Sequence, residues 1–193
     1  MLTWKIQKSE MAIDHRWYKL RRDWVELPDG RAIDDYFVSV RPDVALILAL
    51  TPDGNVPLVR QYKHGAQKVL LELPGGFIDE GETPQAAAAR ELLEETGYAA
   101  ERFELLGQVH DNPTKDTNTD FLFFAANAVQ RQAQSLDPNE QIHVELAPFA
   151  QLPSLILDGS ICVGNSISTI FFALHRLGFL KRALNDEFRA TGL

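Results

Sequence analysis

Three glutamates within five residues, Glu91, Glu94 and Glu95, are the side chains best placed to do chemistry in this chain. They sit in the run Arg90-Glu91-Leu92-Leu93-Glu94-Glu95-Thr96-Gly97. At about 100° per residue, a helix gathers all three into one arc of roughly 100°. Like charges at that spacing repel, and the C-terminal end of a helix prefers cations. A divalent cation reverses that cost. Mg²⁺ takes oxygen ligands, commonly one or two carboxylates, with waters and phosphate oxygens completing its shell. The implied chemistry is attack of water on phosphorus, with the cation standing between an acidic protein and an anionic substrate. Arg90 can pair with a neighbouring carboxylate and fix its orientation, and a glycine-rich loop can fold Glu82 back toward the same cluster. A solvated acidic helix face is the plain alternative.

The elements that must position these groups are legible around them. Thr83 suits the N-cap of the helix, Pro84 its first turn and Gly97 the position past its end. Leu92, Leu93, Ala86 and Ala89 occupy the arc expected to dock on a sheet, while Ala87 shares the acidic arc. Upstream, Arg16–Leu27 and Arg31–Val40 read as strands about Pro28-Asp29-Gly30. Val44–Leu50 and Val56–Tyr62 repeat the pattern, and Val69–Leu73 runs into Pro74-Gly75-Gly76. Downstream, strands Phe103–His110 and Thr119–Val129 flank a polar loop, and Glu140–Leu146 is the last strand. Pro148–Leu157 and Ser166–Leu180 read as helical, the latter with an apolar face of Ile170, Phe171, Leu174, Leu177 and Leu180. This order predicts an α+β fold, with residues 1–40 as an N-terminal β extension and 41–193 as the main domain.

Composition narrows the function classes. Lys and Arg number 19 against 27 Asp and Glu, a formal net charge of -8. That balance argues against a protein that coats nucleic acid. It leaves phosphate substrates open, because cations can bridge anion to anion. The single cysteine, Cys162, rules out an internal disulfide or a Cys-rich zinc site and reads as a buried, inert thiol. No apolar stretch approaches the ~20 residues of a membrane span, and the first residues lack a signal-peptide core. The expectation is a cytoplasmic protein with no membrane or nucleic-acid partner.

Read with its flanks, the acidic run has a fixed pattern. Gly76, five residues, Glu82, seven residues, then Arg90-Glu91-Leu92, any residue, Glu94-Glu95, any residue and Gly97-Tyr98 agree with the Nudix box at all seven fixed positions. With each residue type near ~7% usage, chance gives such a match on the order of once in a million chains, which sets aside the solvated-face alternative. The chain therefore resembles the Nudix hydrolases. The resemblance implies a mixed sheet between helices, an α/β/α sandwich carrying a loop–helix–loop metal site. It implies Mg²⁺, with Mn²⁺ able to substitute, and hydrolysis of a nucleoside diphosphate linked to another moiety. It assigns Glu91 and Glu95 as metal ligands with Glu94 in support, places Arg90 in the catalytic machinery, and lets the Gly75 carbonyl complete the site.

Over roughly Trp17 to Leu180 the chain is similar to the ADP-ribose pyrophosphatase branch. The similarity rests on the N-terminal hairpin, on Leu58–Lys63 ahead of Glu72–Gly76, on Pro113 fifteen residues after Tyr98, and on Asn139–Val144. It implies a homodimer built through the N-terminal sheet, and a small nucleotide substrate. ADP-ribose or a related nucleoside diphosphate sugar would yield a nucleoside monophosphate and a sugar phosphate. Glu140 falls where that branch keeps the carboxylate that activates the attacking water, with Glu145 or a box glutamate as rivals. Trp17 and Tyr36 are either base-stacking faces or sheet-packing residues. Arg60 either meets a phosphate or ribose or makes a surface salt bridge, and Pro113 is either a substrate marker or a turn residue. The loop Asn112–Asn118 lacks the Gly/Ser-rich run usual after the proline, which leaves the sugar end open. Two other readings stand beside this one. The first is a Nudix enzyme acting on a dinucleotide, a coenzyme or a nucleoside triphosphate. The second is an inactive ligand-sensing Nudix module, against which the full set of box carboxylates counts.

Overall fold

Every residue of the first strand is exposed, and it pairs on one side only. The computed structural model describes residues 3–180, which fall into two units. The first comprises 1–43 together with 110–119. Strands β1 (Lys5–His15), β2 (Tyr18–Glu26) and β3 (Ala32–Val40) form an antiparallel sheet in that order. The hairpin read from the sequence is β2–β3, closed at Gly30, whose φ of 84° lies in the left-handed region. β1 goes beyond that reading. Its run Lys-Ile-Gln-Lys-Ser-Glu-Met-Ala-Ile-Asp-His offers no continuous apolar face, so its strand character comes from pairing with β2, across two irregularities in register. On this sheet Asp23 is buried at 2% exposure. Burial opposes its charge, but hydrogen bonds from Arg21 and Ser9 hold its carboxyl below the usual range. Residues 110–119 lie along β3. The Ser39 N–H donates to the Lys115 carbonyl at 2.7 Å, and the Tyr36 hydroxyl donates to the Thr114 carbonyl at 2.7 Å.

The second unit holds residues 44–109 and those from 120 onward. Its strands are β4 (Val44–Leu50), β5 (Asn55–Lys63), β6 (Lys68–Glu72), β7 (Gly75–Phe77), β8 (Tyr98–Ala99), β9 (Phe103–Val109), β10 (Asp120–Ala126), β11 (Val129–Gln130) and β12 (Ile142–Pro148). Among the described residues its α-helices include α1 (Pro84–Thr96), α2 (Leu152–Leu157) and α3 (Gly164–Arg176). A mixed sheet runs β7-β4-β10-β9, with β4 and β10 parallel and the other neighbours antiparallel. An antiparallel sheet, β12-β5-β6, stands beside it.

Alternation along β4 and β10 explains the layering. Ala45, Ile47, Ala49, Phe123 and Ala125 face α1 through Ala88 and Leu92. Leu48 and Phe124 face the other way, onto Ile170, Ala173 and Leu174 of α3. Each fully buried leucine or isoleucine in these layers stabilises the fold by about 1.5–3 kcal/mol. The result is the expected Nudix fold, a mixed sheet between helices with an N-terminal sheet extension. Among the described residues no helix is long and apolar enough to cross a membrane.

Three details correct the sequence reading. Phe171, placed on the apolar face of the last helix, is exposed. Cys162 is exposed as well: its neighbour Ile161 is the buried residue, bridging to Leu71, so the next side chain turns outward. Most consequentially, α1 buries Ala87, Ala88, Leu92, Glu95 and Thr96, so Ala86, Ala89 and Leu93 are not its docking arc. The helix is rotated toward its acidic arc, because a glycine strand lies close enough to receive it.

Candidate metal and active site

α1 is fixed at both ends as its sequence predicts. The Thr83 hydroxyl accepts the Ala86 N–H at 3.2 Å and Pro84 opens the first turn. Gly97 closes the helix with φ 76°, donating its N–H to the Leu93 carbonyl at 2.9 Å. A side chain is also impossible at Gly97 because its Cβ would meet the Gln132 carbonyl oxygen.

Strand β7 lies along the acidic arc and is built of glycine for a steric reason. A Cβ on Gly76 would enter the Glu91 carboxylate, and a Cβ on Gly75 would meet the Ala45 carbonyl oxygen. The Gly75 N–H donates to Glu95 Oε2 at 2.8 Å. The backbone thus approaches both carboxylates directly; at Gly75 the obstacle to a side chain is fixed backbone, whereas at Gly76 it is the movable end of Glu91 itself.

Arg90 organises the opposite edge of the cluster. Its guanidinium donates to Glu82 at 3.0 and 2.9 Å, to Glu91 Oε1 at 2.7 Å, to Glu94 Oε2 at 3.2 Å and to the Phe77 carbonyl at 3.0 Å. Glu82 therefore does fold back to the helix, and these bonds from Arg90 hold its carboxyl below the usual range. Arg90 is itself held more firmly protonated by the same contacts.

The inner carboxylates behave in the opposite way. Burial pushes Glu91 up despite Arg90, and the charges of Glu94 and Glu140 push it further. Burial raises Glu95 to about 8. The Gly75 N–H and Lys63 pull against that rise, while Glu91 and Glu140 add to it. The charge of Glu140 thus reaches both Glu91 and Glu95, with Arg90 opposing it at Glu91 and Lys63 at Glu95. Among the described residues no group of three or more His, Cys, Asp or Glu side chains is placed to hold a metal ion. The donor set fits a hard divalent cation that keeps water and substrate oxygens in its shell: two converging carboxylates, part-desolvated, incompletely neutralised and backed by a glycine strand. Glu91 and Glu95 would hold it, with the Gly75 backbone alongside and Glu94 at the rim.

Glu140 and Glu145 are in different surroundings. Glu140 ends the turn Asp137–Glu140, its N–H bonded to the Asp137 carbonyl at 2.9 Å and its carboxylate accepting the Asp137 N–H at 3.1 Å. Glu145 is engaged by Arg60 through a two-pronged ion pair, which holds its carboxyl below the usual range. Arg60 and Lys63 point to opposite faces of β5, since side chains alternate along a strand. The face of Lys63 also carries Gln61. Both reach the buried Glu72 of β6, Lys63 at 2.7 Å and Gln61 at 2.9 Å. Lys63 and Glu72 were not singled out from the sequence. The available signal was parity, because Gln61 and Lys63 share the face that meets Glu95.

In the N-terminal unit, Trp17 lies in the β1–β2 turn at 72% exposure beneath the Arg16 guanidinium. Tyr36 meets Trp4 edge-on, with ring centroids 5.6 Å apart, and carries Lys115 over its ring. Pro113 belongs to the segment held by Tyr36 through Thr114. A cavity of about 730 Å³ in the second unit is lined by Thr83, Ala86, Phe103, Phe121 and Phe123 and touches none of the box carboxylates. It is an apolar gap under the start of α1.

Comparison with known proteins agrees with this geometry. Residues 40–161 match the NUDIX domain family, and residues 4–39 match the nucleoside diphosphate sugar hydrolase N-terminal domain. The chain is 39% identical over 176 residues to an ADP-ribose pyrophosphatase of Mycobacterium tuberculosis (strain ATCC 25618 / H37Rv), covering 88% of this chain and 84% of that one. It is 32% identical over 158 residues to a methanol dehydrogenase activator of Bacillus methanolicus, covering 81% and 80%. A crystal structure of an ADP compounds hydrolase shares its fold, with a TM-score of 0.82 over 94% of this chain and 98% of that one, at 23% identity. The chain thus belongs to the Nudix hydrolases, as a pyrophosphatase similar to the ADP-ribose pyrophosphatases.

Proposed function

We propose that this protein hydrolyses ADP-ribose or a closely related nucleoside diphosphate sugar, releasing a nucleoside monophosphate and a sugar phosphate. The observation that carries the reading is the half-desolvated Glu91–Glu95 pair pressed against Gly75 and Gly76. Mg²⁺ held there would supply the positive charge that binds the diphosphate and favours attack by water. Arg90 holds Glu82, Glu91 and Glu94 in fixed orientation, so that little rearrangement is needed on binding. Glu140 accepts the proton of the attacking water. Its electrostatic reach to both Glu91 and Glu95 supports this role over Glu145, whose carboxylate Arg60 already occupies. That ion pair also favours the salt-bridge reading of Arg60. Trp17 and Tyr36 are the aromatic faces proposed to hold the base, with Pro113 shaping the adjoining loop. A homodimer through the N-terminal sheet would cover β1, where Ile6, Met11 and Ile13 are exposed, and Trp4 just before it.

The test is a panel of ADP-ribose, other nucleoside diphosphate sugars, dinucleotides and nucleoside triphosphates, assayed with Mg²⁺ and with chelator, with products resolved by ³¹P NMR. The expected result is Mg²⁺-dependent formation of AMP and ribose phosphate, with kcat/KM highest for ADP-ribose or another diphosphate sugar. Turnover confined to triphosphates, or none on any diphosphate, would overturn the reading. Light scattering of the pure protein reads the mass of the assembly.

A further inference from the structure

The last turn of any helix leaves carbonyls without intrahelical donors. In α1 these include the carbonyls of Glu94 and Glu95, and one distant segment meets both of them and that of the capping Gly97. The Ser135 N–H donates to the Glu94 carbonyl at 2.9 Å, and the Arg131 and Gln132 N–H groups donate to the Gly97 carbonyl at 2.9 and 3.3 Å. The remaining bond is made by a side chain. Gln134 Nε2 donates to the Glu95 carbonyl at 2.5 Å and also to the Ile142 carbonyl at 3.2 Å. One amide group therefore ties the backbone of Glu95 to the first residue of β12. Glu140 lies two residues ahead of Ile142, and the turn that presents it starts three residues after Gln134.

We infer that Gln134 is a positioning residue, which sets Glu140 against the Glu91–Glu95 carboxylates by clamping both ends of the Glu140-bearing loop. The inference rests on Glu140 being the general base proposed above. The chemistry demands such a clamp. Efficient proton transfer needs the base within about 0.5 Å of its working place, and among the described residues Glu140 is hydrogen-bonded within its own turn. An amide suits the task because its two N–H groups serve two carbonyls at once. A carboxylate at this position would repel both.

The experiment is a double-mutant cycle on the full chain with ADP-ribose and saturating Mg²⁺, using Gln134→Ala, Glu140→Gln and the double variant. Gln134→Ala should lower kcat about tenfold, with KM and the Mg²⁺ dependence within about twofold of wild type, as expected for a misplaced base. Added to Glu140→Gln it should cost nothing further, since there is no base left to misplace. Gln134→Lys, which restores a donor of similar reach, should recover most of the rate. Wild-type kcat in Glu140→Gln would refute the assignment of the base itself. Loss in Glu140→Gln but wild-type kcat in Gln134→Ala would refute the clamp alone. Equal fold-losses from Gln134→Ala in both backgrounds would also refute it, showing that the residue acts on α1 rather than on Glu140.

Discussion

The acidic cluster has two edges that treat the same side chain in opposite ways. At the outer edge Glu82 shares Arg90 and is held anionic below the usual carboxylate range. At the inner edge Glu95 is buried, has Gly75 N–H and a neighbouring Lys63 as its compensation, and is raised to about 8. Glu91 lies between, touching Arg90 yet still raised by burial. The outer edge is neutralised within the protein, and the inner edge is only partly so. The proposed cation would sit where the protein leaves its carboxylates unneutralised, with Arg90 holding the opposite edge in place.

The comparison breaks most visibly at Glu95. Glu95→Gln should lower kcat about a thousandfold or more, while the metal-free protein melts no lower than wild type at pH 8, because a buried charge is gone and Gln still accepts from Gly75. Kinetics and differential scanning fluorimetry together check this; a large drop in melting temperature would mean that Glu95 is a structural group. Breaking the other edge should give the reverse balance. Arg90→Ala strands Glu82, Glu91 and Glu94 and should cost roughly 2 kcal/mol of stability, with the loss of rate smaller than in Glu95→Gln. Urea unfolding at equilibrium reads the first effect and steady-state kinetics the second.

A pH series sharpens the contrast without mutation. Because Glu95 titrates near 8 when folded and near 4.5 when exposed, the folded chain holds a proton that the unfolded chain has released. In chelator, its contribution to stability is therefore lost as pH rises between those values, by about 5 °C in melting temperature from pH 6 to 8.5. Saturating Mg²⁺ should flatten that slope, so the stabilisation by metal grows with pH. The smallest effect belongs to Glu145→Gln, whose half-buried ion pair with Arg60 lies on the far face of β5: kcat should stay within about twofold of wild type.

What was legible in the sequence follows from the range of each interaction. The box helix could be placed because Thr83, Pro84 and Gly97 act on their own neighbours, and because Glu91, Glu94 and Glu95 are spaced by the helix itself. Its rotation was not legible. That depends on Gly75 and Gly76 receiving Glu95 and Glu91 from up to 20 residues away. β1 escaped notice because an exposed strand of mixed polarity has no period to read, and only pairing with β2 defines it. Lys63 and Glu72 meet across a hairpin, and Gln134 reaches Glu95 across 39 residues. Charge alone marks Arg60 in the sequence, whereas the fold turns Lys63 of β5 toward Glu72 and Glu95.

The most direct test of the unneutralised inner edge is calorimetric titration of Mn²⁺ into wild type, Glu82→Gln and Glu95→Gln at pH 8. Wild type and Glu82→Gln should bind with comparable affinity and release protons, seen as a heat that varies with buffer. Glu95→Gln should bind at least tenfold more weakly and release fewer. Equal affinity in wild type and Glu95→Gln would contradict the account, because the cation would then sit somewhere other than the buried carboxylates.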